Sequence, residues 1–304
     1  MKFLLQFLLL ITVVHFSAPL LAQKEGKKKR VAVFIFDDKT DNGRSWWGQR
    51  TVGEGMSDMV ITELVKTGQY TVLERQELDE LLREQDLGAS GIVTPESAAE
   101  IGKVLGVELA VMGAVTEFGY NKSDTDVRVD RTRVGLGMQS AAVGMDVRMV
   151  NTSTGEIIAA ENIRKTKRAP SASVSRGSIG FENENEFNQS IVGKAARNAI
   201  EDVVGLVTKN SDKVSWAAKV VTEASGKVYI NSGARDGVQV GETFTVYRPG
   251  EELVDPDTGL SLGTVDSKVG QIKVVDNNVG DGKASLCSIQ SGSGYQRGDV
   301  VKEE

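Results

Sequence analysis

Histidine and cysteine are almost missing from this chain, which has one of each, His15 and Cys287. A single cysteine excludes an intrachain disulfide. One thiol and one imidazole cannot supply the usual zinc donor sets, so no metal site is expected. His15 lies inside an apolar leader, and removal of that leader leaves no histidine. Ser-His-Asp and Cys-His catalysis are then excluded, along with the usual general base near neutral pH. The expectation is a protein that is not an enzyme and carries no cofactor.

A basic surplus is missing as well. The formal net charge is −6 over 304 residues. No dense Lys/Arg patch with interleaved aromatics occurs, so nucleic acid is not an expected partner. The apolar and charged fractions are ordinary for a folded protein, and the length suggests about two domains.

The leader is "MKFLLQFLLLITVVHFSAPLLAQ". It has one Lys, an apolar run interrupted by Ser17 and Pro19, and a small residue, Ala22. This reads as a secretory signal peptide, residues 1–22, cut after Ala22. The alternative is an uncleaved anchor helix. Loss of Lys2 takes the formal charge from −6 to −7. No cysteine stands at the junction, so a lipoprotein anchor is not expected. Residues 23–29 include "KEGKKK" and read as a basic linker. Its plain reading is a solvated run; contact with anionic lipid or acidic partners is the other.

Residues 30–210 alternate strands and helices. "VAVFIFDD" is a buried strand, followed by a loop at Asn42-Gly43. "GEGMSDMVITELVKTG" spaces Met56, Val60 and Leu64 helically, and Gly68 stops it. "YTVLE" is a second strand. The helix after it puts Leu78, Leu81 and Leu82 on one face. Thr94 reads as an N-cap with Pro95 at the first helical position, and Gly106 as the end. "VELAVMGAVTEF" is a long apolar strand, and Gly119 to Ala142 reads as irregular. Val143, Met145, Val147 and Met149 then alternate with Asp146 and Arg148, a half-buried strand. Met145–Val150 is expected to pair with Glu156–Ile163 around Thr154-Gly155. A last helix turns Ile191, Ala195, Ile200, Val203 and Leu206 inward. The fold class is a mixed α/β domain, a mixed sheet with helices. Residues 211–304 carry short β runs between Gly-rich turns and no helical period, a small all-β barrel or sandwich.

Candidate sites are few. "GEGMSD" opens a helix where a phosphate loop would sit, but it matches neither glycine-rich motif and reads as a flexible helix start. "DDKTDNG" and "DPDTG" miss the calcium-loop register and read as turns. Trp46 and Trp47 stand side by side in a polar loop. One reading makes them a contact site, the other a lid over the domain's own edge.

Three segments carry a family resemblance: "YTVLERQELDELLREQDLGASG", "IGKVLGVELAVMGAVTEF" and "DVRMVNTSTGEIIAAENIRKTK". In this order they resemble the curli assembly/transport component family, the CsgG-type proteins, over about Arg30 to Val207. The tail resembles the C-terminal β domain of some flagellar periplasmic proteins. The resemblance implies an exported homo-oligomer, a ring at the periplasmic face of the outer membrane. Each subunit would give two β-hairpins to a shared barrel for a secreted or surface-assembled protein substrate. It implies that Trp46 and Trp47 stand at the constriction. The hairpin candidates are Val127, Val129, Val134, Leu136 and Met138. Arg164, Lys165, Lys167, Arg168 and Pro170 would give a second hairpin a poor lipid face, since charge at mid-bilayer depth is costly. The competing expectation is a soluble periplasmic adaptor for an envelope or flagellar assembly, without a transmembrane barrel.

Overall fold

The computed structural model describes residues 26–40, 51–73, 94–129, 132–171, 184–257 and 261–303. Polar starts and glycine stops delimit its helices. Helix α1 (Val52–Thr67) opens with a capping box in which Thr51 and Glu54 satisfy each other's backbone N–H groups. It closes at Gly68, whose φ of 67° is left-handed. Helix α2 (Pro95–Leu105) repeats this grammar with Thr94, Pro95 and Gly106. Helices α3 (Glu184–Gln189) and α4 (Ile191–Asn210) follow, with Ser190 capping α4 through the Gly193 N–H at 2.9 Å. Ala195, Ile200, Val203 and Leu206 face inward as expected, and Val192, Ala196, Ala199 and Val207 join them. The helix expected around Leu78, Leu81 and Leu82 lies outside the described residues.

The start of α1 is not a loose segment. A Cβ at Gly53 would stand 1.8 Å from the Phe36 carbonyl oxygen. Ser57 Oγ accepts the Phe36 N–H at 2.9 Å, so the helix start is stitched to the chain crossing beneath it. The glycine serves close packing, and the room a phosphate would need is filled by backbone.

The α/β sheet has the order β3-β1-β4-β5-β6, with the two-residue strand β2 beside β4. Its strands are β1 (Lys29–Val33), β2 (Asp37–Asp38), β3 (Tyr70–Val72), β4 (Leu109–Val129), β5 (Thr132–Asn151) and β6 (Ile157–Ser171). β1 runs parallel to β3 and β4, whereas β4–β5 and β5–β6 are antiparallel. Alternation splits each strand between two layers. Val31, Val33, Leu109, Val111 and Met149 pack with α1 and α4. Ala32, Phe34, Ala110, Met112 and Val150 pack with Ala98 and Ile101 of α2. Val143, Met145 and Val147 are buried while Asp146 and Arg148 are exposed, so this half of β5 meets protein. The expected pairing holds: Met145 faces Ile163 and Val150 faces Ile157.

The second domain closes a six-stranded barrel in the order β12-β13-β8-β7-β14-β9. Its strands are β7 (Ala217–Ala224), β8 (Lys227–Ile230), β9 (Thr243–Arg248), β12 (Ser267–Val279), β13 (Ala284–Gly292) and β14 (Val300–Lys302). A two-stranded ribbon, β10 (Glu252–Val254) and β11 (Ser261–Thr264), stands apart from it. "DPDTG" joins these two strands, as a turn should. Cys287 sits in the barrel core with Phe244, Ile272 and Val274, and burial pushes its thiol up to about 12. Thiolate is the reactive form. Maleimide should therefore leave the native protein unlabelled and modify one site in guanidinium, read by intact mass. Fast native labelling would contradict the closed barrel.

The basic run before β1 is not a solvated linker. Lys27 Nζ pairs with Glu242 at 3.0 Å and with Glu303, and lies over the Trp216 and Phe244 rings at 5.4 and 5.1 Å. Its side chain is 7% exposed. The Lys28 N–H donates to Asp236 O at 2.8 Å, and Thr71 Oγ1 donates to Asp236 Oδ1 at 2.7 Å. The segment that leads into the first strand is thus bound to the last domain.

Candidate functional site

The long hairpin β4–β5 is the feature that the compact core does not explain. Up to Val115, β4 has β1 or β2 on one side and β5 on the other. From Glu117 onward, among the described residues, it has β5 alone. The register slips between Val115 and Glu117 where β2 ends, so Thr116 is a bulge. A bulge bends a ladder and inverts its side-chain parity. Odd residues Leu109, Val111 and Val115 face the core before it; Phe118 and Tyr120 face the same core after it. The same bulge frees the ribbon to leave the plane of the sheet.

Pairing then runs without interruption from Asn121–Ser140 to Val129–Thr132. The expectation that Gly119 to Ala142 is irregular is therefore wrong. Glycines and alternating charge gave that stretch the texture of a loop. Two equally polar strands nevertheless satisfy each other's backbone groups when they pair. Residues 121–129 rise about 30 Å at the antiparallel spacing of ~3.4 Å per residue. A transmembrane strand takes about 9–11 residues.

The base of the ribbon is neutralised. Glu117, Gly144 and Arg164 lie side by side across β4, β5 and β6. With no side chain at Gly144, Arg164 reaches across it. Its Nε donates to Glu117 Oε2 at 2.7 Å and its Nη2 to Oε1 at 3.0 Å. A Cβ at Gly144 would already touch Glu117 Cβ and Thr116 Oγ1 at 3.0 Å. Lys165 Nζ pairs with Asp202 of α4 at 2.5 Å, and Lys167 Nζ donates to the Asn198 side-chain oxygen at 2.9 Å. Register sets residues 164–168 opposite 144–140, at the foot of the ribbon. The lipid-face objection raised by these cations thus falls on residues that belong to the α/β body.

Of the sequence candidates, the ladder brings together the backbones of five. Val127 faces Val134, Val129 faces Thr132, Thr125 faces Leu136 and Ser123 faces Met138. Trp46 and Trp47 lie outside the described residues and are not brought to this site. Sequence reasoning missed Glu117, Gly144 and Arg164. The signal was present as a glycine in an otherwise large-residue strand, which marks close approach. Among the described residues no group of three or more His, Cys, Asp or Glu could hold a metal ion. No described helix is long and apolar enough to cross a membrane.

Comparison with known proteins gives a family and several relatives. The family described as curli production assembly/transport component CsgG matches residues 15–251. A protein of Neisseria meningitidis serogroup B named as a lipoprotein is 25% identical over 197 residues, 64% of this chain and 81% of its own. Among solved structures, a hypothetical protein of Chlamydia trachomatis aligns at a TM-score of 0.37 and 16% identity, covering 60% of this chain and 99% of that one. A lipoprotein of Neisseria meningitidis aligns at 0.34 and 11%, covering 58% and 99%. The PelC dodecamer of Paraburkholderia phytofirmans aligns at 0.33 and 14%, covering 60% and 90%.

Proposed function

Because the chain belongs to the CsgG family of curli production assembly/transport components, we propose that it is an exported, non-enzymatic subunit of a homo-oligomeric ring at the outer membrane. The observation that carries this reading is the β4–β5 ribbon, which leaves the core at a bulge and runs the length of a membrane strand. Hairpins from neighbouring subunits would close into one barrel, since only a closed sheet satisfies its backbone in lipid. Val127, Val129, Val134, Leu136 and Met138 would supply lipid-facing positions. β6, which follows β5 up to Ser171, would begin the second hairpin. Trp46 and Trp47 would stand at the constriction. A secreted or surface-assembled protein would pass through the opening, with the α/β domains on the periplasmic side.

Carbonate extraction of envelopes from cells expressing the full chain tests this. The ring reading expects the protein to stay with the outer-membrane pellet, with a mature mass that starts at Gln23. Complete release into the carbonate supernatant would contradict it and leave the soluble adaptor.

A further inference from the structure

The two domains enclose a second concavity, far from the ribbon tip in the fold. It lies where the foot of the sheet meets β7 and β14, and its volume is about 510 Å³, the size of a small-ligand cleft. Four cations line it, Arg30, Lys213, Lys219 and Lys302, against two carboxylates, Glu108 and Asp266. This is a positive pocket in a chain of net charge −6.

The carboxylates are already committed. Asp266 pairs with Lys302 at 2.8 Å and accepts the Thr264 hydroxyl. Glu108 is buried and accepts the Arg30 N–H at 2.7 Å and the Ala217 N–H at 3.3 Å, which ties the first domain to the second. Its one charge is shared between Arg30 and Lys219. Arg30 also donates to Asn231 Oδ1 at 3.2 Å. Trp216 lines the cleft too, and its Nε1–H is buried with no acceptor among the described residues. Donors therefore exceed acceptors around the space. The walls between them are apolar, from Val107, Val214, Pro249 and Val300.

We propose that this interdomain cleft is a binding site for an organic carboxylate, the anion meeting Lys219 and Arg30 and its apolar body lying against the valines and Pro249. A carboxylate is acceptor-only, which matches a lining rich in donors. A monoanion matches two cations that share one carboxylate. Burial and the Arg30 charge both hold the Lys219 ammonium below its ordinary pKa, so a bound anion relieves a real cost. The carboxylate can come from the end of a peptide chain or from a small organic acid. The inference is independent of membrane insertion.

Calorimetric titration of the mature full-length protein separates the cases with three probes: N-acetyl-tetra-alanine acid, its C-terminal amide, and hexanoate. The acid should bind about ten-fold or more tightly than the amide, the scale of one charge-assisted hydrogen bond. Binding of the peptide acid alone assigns the site to chain termini; comparable binding of hexanoate assigns it to small acids. Lys219→Met should weaken the acid by a similar factor, and Lys219→Arg should keep it within a few-fold. Equal binding of acid and amide overturns the proposal, as does no binding of either carboxylate. Should Lys219→Met fail to fold, the acid–amide comparison on the unaltered protein still decides.

Discussion

Joining Tyr120 to Ala141 through an Asn-Gly turn is expected to abolish outer-membrane retention while both domains stay folded. Tyr120 and Ala141 are paired in the ladder, so a two-residue type I′ connection fits their spacing. The buried clusters end with Phe118 on β4 and begin with Ala141 on β5, so the excised residues 121–140 contribute nothing to them. Thermal unfolding should therefore move by no more than a few degrees. Only β6 beyond Lys167 loses its partner strand. Retention should fall from complete to background, because a barrel missing its hairpins has no other strands with which to close. Persistent retention would mean that something other than the ribbon holds the protein to the membrane.

Gly53→Ala is expected to be the most damaging small substitution in the α/β domain. Two effects of opposite sign compete. Alanine gains about 1 kcal/mol of helix propensity over glycine. Against it stands a methyl group 1.8 Å from the Phe36 carbonyl oxygen and 2.9 Å from its carbon. Both neighbours are backbone, which cannot rotate away as a side-chain end could. Helix α1 must shift, which loosens the Ser57 stitch and the seating of Met56, Val60 and Leu64, all fully buried. Overpacking of this kind costs about 1–3 kcal/mol, and a backbone contact belongs at the upper end or beyond. The net loss should be about 2–3 kcal/mol, a fall of roughly 4–12 °C in Tm for a chain of this size. Gly205→Ala in α4 is the control. It is exposed with nothing within 4 Å, so the propensity gain stands alone and Tm should hold or rise slightly.

These two expectations mark where the sequence was readable. Helix limits were plain because Thr51, Thr94, Gly68 and Gly106 each answer a local backbone need. The core face of β5 was plain because Val143 to Met149 keep a strict two-residue period. The ribbon was harder to read. Its side chains pack against no core within the chain, so composition imitates a loop, and only the pairing partner reveals the strand. The Thr116 bulge also breaks the period on β4, which no alternation rule follows without a partner to register against. Long-range contacts were out of reach altogether. Nothing near Lys27 announces that its ammonium ends over Trp216 and Phe244, or that Arg164 crosses Gly144 to meet Glu117. Charge runs look alike whether they meet water or a distant carboxylate.

The central claim is that copies of this chain close into a ring whose hairpins form one membrane barrel. Electron microscopy of the mature protein purified in detergent tests it most directly. The account predicts closed rings with a central opening and a detergent belt around one end. Single subunits in both detergent and buffer would contradict it.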